Sequence, residues 1–420
     1  MNDPSRFPVI DIDPDRLWST LMASAEIGTT PRGGLRRLTL TDEDRAMRDL
    51  FATWARESSY ELSVDRLGNM FVRRPGADPA APPVLVGSHL DTQAKGGRFD
   101  GILGVLSGLE ILRALDDHGV TTERSIEVVN WTNEEGARFQ PPMMCSLAFA
   151  GGESVEWALQ RTDKAGVRFG EALEAIGYQG EAEVGGRALD SYLELHIEQG
   201  PILDQSDVDV GIVTSGYAMK GMRIQVLGET AHVGPTPMHH RRNALVGAAY
   251  AAVAVNEIGW RYAPEDGKAS AARLDAWPNL PGLLSDEAQL YIDFRHPDPQ
   301  RLEDMADEVE AAVAESARKS RTDISVAERW GFGGLRFDEG LAGQLFARAR
   351  AMDLPVLEMA SQAGHDAYHL NRVCPTIMIF TPCKGGITHN EREDVELSRT
   401  VPGVRLLLHA ALDRAGFAVQ

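Results

Sequence analysis

Four short apolar runs constrain this chain most: Pro83-Val-Leu-Val-Gly87, Ser125-Ile-Glu-Val-Val-Asn-Trp131, Ser191-Tyr-Leu-Glu-Leu-His-Ile197 and Thr376-Ile-Met-Ile-Phe380. Each has strand length, and each runs into a cluster of ionisable residues. Asn69-Met-Phe-Val-Arg73 reads as a further strand. Residues 14–26, the segment after Thr41-Asp-Glu-Asp44, Ile102 to Leu115, Val155–Leu159 and Phe169–Ile176 carry helical spacing. Strands alternating with helices predict an α/β sheet with parallel pairs.

From about Gly216 the texture changes. Strand Met222–Leu227, helix Arg242–Ile258, a weak strand near Ala271–Trp277, strand Ala288–Phe294, helix Pro299–Lys319 and strand Thr322–Ala327 follow in order. This β-α-β-β-α-β sequence predicts a ferredoxin-like α+β unit. Helix Gly340–Met352 and the Thr376 run then return to α/β texture. The expected parse is a mixed-sheet α/β domain over residues 1–212 and 330–420, interrupted by a smaller α+β domain over 213–329.

Composition narrows the partners. Hydrophobic residues make up 43% and charged residues 25%, which excludes a disordered or fibrous chain. The 62 acidic against 42 basic residues leave a net charge of −20, which repels phosphate backbones and anionic lipid. Nucleic acid and membrane surfaces are therefore poor partners, whereas local arginines can still hold a small anionic substrate. Cys145, Cys374 and Cys383 are an odd count, too few to staple 420 residues, so a reducing compartment is expected. The opening Met1–Pro8 stretch shows no cationic start followed by an apolar core, and Ala244–Val255 is too short to span a bilayer. A cytoplasmic protein is the default reading.

The ionisable clusters carry the chemistry. His89 and Asp91 alternate at a strand end, on the edge where open α/β sheets bind ligands. Asp100 sits in Gly96-Gly-Arg-Phe-Asp-Gly101, ahead of the apolar helix. Read alone, the histidine is a loop residue and the aspartate a helix cap. Glu134 and Glu135 follow the apolar Trp131 run, where buried paired carboxylates are costly without a metal or proton. One acid can ligate while its neighbour reaches a bound water, which suits Glu135 as ligand and Glu134 as general base. His196 and His389 complete the set. Three imidazoles and two carboxylates suit two ions of Zn²⁺, Mn²⁺, Co²⁺ or Ni²⁺ sharing Asp100 as a bridge, about 3.5 Å apart. The Gly96–Gly101 stretch lacks both the G-x-G-x-x-G spacing and the lysine of a phosphate loop.

These motifs resemble the dinuclear amidohydrolases related to aminoacylases and zinc carboxypeptidases: HLD at 89–91, GGRFDG at 96–101, NEEG at 133–136, HIEQG at 196–200 and THNE at 388–391. GETAHVGPTPMHHRRNAL at 228–245, DFRH at 293–296 and AGHDA at 363–367 are similar to the hydantoinase/carbamoylase branch. That branch includes N-carbamoyl-L-amino-acid hydrolases, allantoate and ureidoglycolate amidohydrolases and β-ureidopropionases. The resemblance runs from about residue 14 to the C-terminus. It implies a catalytic domain with an inserted lid used for homodimerisation, and a small carboxylate-bearing ureido substrate. A zinc N-acyl-amino-acid deacylase or peptidase would use the same ligands, but the EQG and AGHDA segments favour the ureido branch.

Carried over motif by motif, the resemblance makes His89, Asp100 and His196 ligands of one ion, and Asp100, Glu135 and His389 ligands of the other. Glu134 is then the base, and Asp91 orients a ligand imidazole. Substrate contacts fall on Gln199, His232, Asn279, Arg295 and His365. His232 can steady a developing oxyanion, and the planar Arg295 fork matches a carboxylate unless Asp293 or Asp298 holds it. The resemblance also implies a strained Asp100–Gly101 peptide with a cis form open to it. Departures at Arg242-Asn243, Ser361-Gln362 and Phe139–Ser146 leave every ligand in place and bear on substrate choice. His239, His240 and His296 receive no role.

Overall fold

The computed structural model describes residues 10–418, so the reading of Met1–Pro8 lies outside the described residues. The chain divides into two units. The larger takes the described chain through Thr214, Phe337–Met359 and everything from Gly364 onward; the smaller takes Ser215–Arg336 and Ala360–Ala363.

The larger unit is built on a mixed sheet. Its strands lie side by side in the order Glu61–Val64, Met70–Arg74, Ile126–Trp131, Val84–His89, Ser191–Ile197, Thr376–Thr381 and Gly211–Gly216. The four central strands are mutually parallel, and every residue in them is buried. That explains their nearly unbroken apolar runs, because a parallel sheet is covered on both faces. Helix Ile102–Asp117 crosses over one face and lies close to it. A side chain at Gly104 would meet the Leu195 carbonyl at 2.4 Å, so only glycine permits that approach. The register pairs His89 with Trp131 and Thr381 with Ile197, so the four parallel strands end along one edge.

Helix Leu397–Ala415 is an element that pattern reading misses. Pro402 lies inside it and removes a main-chain hydrogen bond, which disguises the segment as a loop. Burial of Val404, Leu407, Leu408 and Leu412 against the unit's core offsets that loss.

The smaller unit is an antiparallel sheet in the order Asp323–Phe332, Ala218–Leu227, Glu287–His296 and Lys268–Trp277, with helices Ala244–Tyr262 and Pro299–Ser320. In chain order its strands lie 4-1-3-2, the ferredoxin-like arrangement that the β-α-β-β-α-β pattern predicts. Glu287–His296 alternates strictly, sending Ala288, Leu290, Ile292 and Phe294 into the core. Asn243 and Asp298 cap the two helices through their side chains. The edge strand Lys268–Trp277 is mostly exposed, and helix Ala244–Tyr262 leaves Tyr250, Val253 and Trp260 in solvent. Among the described residues no helix is long and apolar enough to cross a membrane.

Candidate metal centre

The common strand edge gathers the predicted ligands. His89 closes its strand, and its Nδ1 meets the Asp91 main-chain carbonyl at 2.9 Å. His196 is anchored the same way, with Nδ1 2.9 Å from the Ile197 carbonyl. Each ring therefore donates through Nδ1 and turns its Nε2 inward, so that an incoming ion finds the nitrogen a metal ligand uses. Nε2 of His196 lies 3.1 Å from Asp100 Oδ1, and Nε2 of His89 lies 3.9 Å from the same oxygen. On the other side, His389 Nε2 is 3.2 Å from Asp100 Oδ2 and 3.3 Å from Glu135 Oε2. Two sets of donor atoms thus converge, His89–Asp100–His196 and Asp100–Glu135–His389, with Asp100 common to both. Among the described residues the buried Glu135 Oε1 has no hydrogen-bond partner, as expected of a donor atom kept for an ion. Nitrogen and carboxylate donors in this mixture fit divalent first-row ions.

A third convergence, Glu194–His196–His365, has a different character. Glu194 already accepts from the Ser88 hydroxyl at 2.7 Å, the Tyr192 hydroxyl at 3.1 Å and the Ala367 amide at 3.1 Å. Its charge is satisfied within the protein.

Burial and crowding set the electrostatics. Burial pushes Glu134 well above the usual carboxylate range, and the carboxylates of Asp366, Glu135, Asp91 and Asp100 push it further. Glu135 rises to about 8, chiefly through burial, against the opposing pull of His389. Burial alone would raise Asp100, but His196 and His389 hold it well below its ordinary value. Burial lowers His89 to about 4. His196 and His389 reach about 9 and about 10, because the facing carboxylates outweigh the burial that opposes their charge. Without cations Glu134, Glu135 and the rings of His196 and His389 hold protons around an ionised Asp100; divalent ions would take the place of those protons.

Asp91 orients the His89 ring, but through its main-chain carbonyl at 2.9 Å, since its carboxylate Oδ1 lies 3.8 Å from Nδ1. The carboxylate instead accepts from the Thr39 hydroxyl at 2.7 Å and from the Glu134 and Glu135 amides at 3.3 Å each. It thereby steadies the turn that presents both glutamates, which Asn133 enters at φ 61°. The Asp100–Gly101 peptide is trans; among the described residues the cis bonds are Gln140–Pro141 and Trp277–Pro278. Gly101 makes the turn by a φ of 68°, which needs no cis peptide, and a side chain there would strike the His89 ring at 2.3 Å. Nor does Asp100 cap the following helix, whose first turn has no side-chain cap.

The remaining predicted residues divide between the units. Gln199 donates to Asp100 Oδ2 at 2.9 Å. His365 is buried against His196, ring centroids 4.5 Å apart, and its Nε2 has no hydrogen-bond partner among the described residues. In the smaller unit, His232 and Asn279 are exposed. Arg295 there holds Asp293 through Nε and Nη2 at 2.8 and 3.1 Å, and donates from Nη1 to the Gln362 carbonyl at 2.8 Å. The Asp293 pairing weighed from sequence is therefore present. Sequence reasoning missed Gln93, which donates to Glu135 Oε2 at 2.8 Å, and Glu393, which accepts from the Phe99 and Asp100 amides at 2.9 and 3.1 Å. The only signal for Glu393 was an acid four residues beyond His389. Cys145, Cys374 and Cys383 are buried and unpaired, and burial pushes Cys383 to about 12, against a nucleophilic role.

Comparison with known proteins agrees with this geometry. Residues 85–413 match Peptidase family M20/M25/M40. The chain is 40% identical over 404 residues to an N-carbamoyl-L-amino-acid amidohydrolase of Rhizobium meliloti, covering 96% of this chain and 97% of that protein. It is 29% identical over 387 residues to the allantoate amidohydrolase of Bacillus subtilis, covering 91% and 93%. A solved amidase of the hydantoinase/carbamoylase family from Burkholderia vietnamiensis superposes with a TM-score of 0.94 at 44% identity, covering 97% of this chain and 98% of that one.

Proposed function

The chain belongs to peptidase family M20/M25/M40 and is a metal-dependent amidohydrolase, and we propose that it hydrolyses the carbamoyl C–N bond of N-carbamoyl-L-amino acids, giving the L-amino acid, ammonia and CO₂. The observation that carries this reading is Asp100 shared by two ligand sets, with Glu134 Oε2 3.5 Å from the ligand His89.

Two divalent ions, Zn²⁺ first and Mn²⁺, Co²⁺ or Ni²⁺ as alternatives, would be held by His89, Asp100 and His196 and by Asp100, Glu135 and His389. Bound there, they would supply Lewis acidity and lower the pKa of water. Glu134 takes the proton from the attacking water and passes it to the departing amine nitrogen. Its burial among acids favours a proton-carrying form, which suits the second transfer. His232 donates to the developing oxyanion, Arg295 clamps the substrate carboxylate, and Gln199, Asn279 and His365 complete the substrate contacts. The smaller unit serves as lid and dimer contact, supported by the apolar residues left exposed on helix Ala244–Tyr262. Three buried, unpaired cysteines support a cytoplasmic setting.

A second reading is allantoate or ureidoglycolate hydrolysis, the first of them favoured by the Bacillus relative. Ammonia release from N-carbamoyl-methionine, other N-carbamoyl amino acids, β-ureidopropionate, allantoate and ureidoglycolate would rank these substrates, using apoenzyme reconstituted with each metal in turn. Dipeptides and N-acetyl amino acids, scored by amino-acid release, test the peptidase and deacylase classes. The proposal expects N-carbamoyl-L-amino acids to give the highest kcat/KM. A faster turnover of allantoate or of dipeptides would displace it.

A further inference from the structure

Glu393 carries no established role, is almost fully buried, and touches both loops that flank the shared carboxylate. Its Oε1 accepts from the Phe99 and Asp100 amides at 2.9 and 3.1 Å, gripping the main chain at Asp100 itself. Its Oε2 accepts from the Thr388 hydroxyl at 3.1 Å, one residue before His389. The Glu393 amide also donates to the Asn390 carbonyl at 3.0 Å, which closes the turn that directly follows His389. The 96–101 loop is cut to receive this carboxylate, since a side chain at Gly97 would lie 2.0 Å from it.

The two ligand sets differ in how firmly they are built. His89 and His196 are strand residues, each anchored through Nδ1 to a main-chain carbonyl. Asp100, Glu135 and His389 all lie on loops. His389 is the least supported: its side chain is 48% exposed, its φ is 49°, and among the described residues none anchors its Nδ1. Two of these three loops, those of Asp100 and His389, are bridged by Glu393; the Thr388 hydroxyl also lies 3.3 Å from Asp100 Oδ2, and Gln199 donates to Asp100 Oδ2 and to Thr388 at 2.9 and 3.4 Å.

We infer that Glu393 is a positioning residue for the ion on the Asp100–Glu135–His389 side, clamping two ligand loops together so that this side binds its ion as tightly as the strand-built side. The inference rests on the two-ion reading. The hydrogen bonds of Glu393 do not require full charge: a glutamine Oε1 can accept from both amides, and its amide group can donate to the Thr388 hydroxyl. Shape and acceptor count should therefore matter more than charge.

The test measures zinc content and zinc affinity in wild type, Glu393→Ala, Glu393→Gln and Glu393→Asp, with melting of each ion-free protein as a fold control. Wild type should hold two ions per subunit. Glu393→Ala should keep the tighter ion and bind the second about 10–100-fold more weakly, the usual penalty for losing an outer support. Glu393→Gln should restore both. Two ions at wild-type affinity in Glu393→Ala would overturn the inference, and so would an equal weakening of both, which indicates general loosening. If Glu393→Ala does not fold, Glu393→Asp decides, its carboxylate being one methylene too short to reach both loops: a selectively weakened second ion supports the clamp, and unchanged binding overturns it. A wild type that binds a single ion would instead refute the two-ion reading itself, and the inference with it.

Discussion

His196 and His389 face opposite oxygens of one carboxylate, 3.1 Å from Oδ1 and 3.2 Å from Oδ2 of Asp100. A bridge of this kind needs two equivalent anionic oxygens, and an amide offers only one acceptor. Asp100→Asn should therefore lower ion occupancy on both sides, not on one. Metal analysis finding two ions in that variant would remove Asp100 from its bridging role.

Glu134 and Glu135 are neighbours to which the proposed function gives separate tasks. Glu134→Gln should retain its metal and lose about 10²–10⁴-fold in kcat, as for other general bases. Glu135→Gln should lose ion occupancy on the His389 side. Normal metal content together with a near wild-type rate in Glu134→Gln would contradict the assignment.

Ion uptake should release protons. In the ion-free protein, His196 and His389 titrate at about 9 and about 10, so both rings carry a proton at neutral pH. An incoming cation must displace those protons, and apparent affinity should strengthen as pH rises toward that range and weaken as it falls. Calorimetry in buffers of differing ionisation enthalpy measures the released protons directly. A binding constant that stays flat from pH about 6 to about 9 would contradict the scheme.

Arg295 already spends its Nε and Nη2 edge on Asp293, so a substrate carboxylate must either share or displace that partner. Arg295→Lys removes the fork and should lower kcat/KM for N-carbamoyl amino acids roughly 30-fold or more. The matching N-carbamoyl amino amides, which lack the carboxylate, should lose much less. Equal losses would assign Arg295 to holding Asp293 and Gln362 in place.

Trp260 is 74% exposed and Val253 59% exposed on the same helix of the smaller unit. If a second copy covers them, Val253→Glu with Trp260→Glu should convert a homodimer to monomer in sedimentation at micromolar protein. A monomeric wild type would end the dimer proposal.

Much of the centre was legible because its chemistry lies where strands stop. Apolar runs locate the strands, and the acid or imidazole at or just beyond each end marks the edge. The ferredoxin-like unit was equally readable, since Asp298 caps one helix and Glu287–His296 alternates without a break. What stayed hidden depends on partners remote in sequence. Glu393 acts on amides 293 and 294 residues away, and nothing beside it announces them. The Asp91 carboxylate likewise turned to the Glu134 and Glu135 amides, because the neighbouring carbonyl had already taken the His89 ring.

The strand order has a consequence for how the protein is made. Thr376–Thr381 enters the sheet between Ser191–Ile197 and Gly211–Gly216, strands that precede it by more than 150 residues. A nascent chain therefore presents two unpaired strand borders while the whole smaller unit emerges from the ribosome. Such borders invite pairing between neighbouring chains. His389 follows that inserted strand, so a partly synthesised chain has strand-built imidazoles ready and no completed second ligand set. Hydrolytic competence and closure of the sheet should therefore arrive together, late in synthesis.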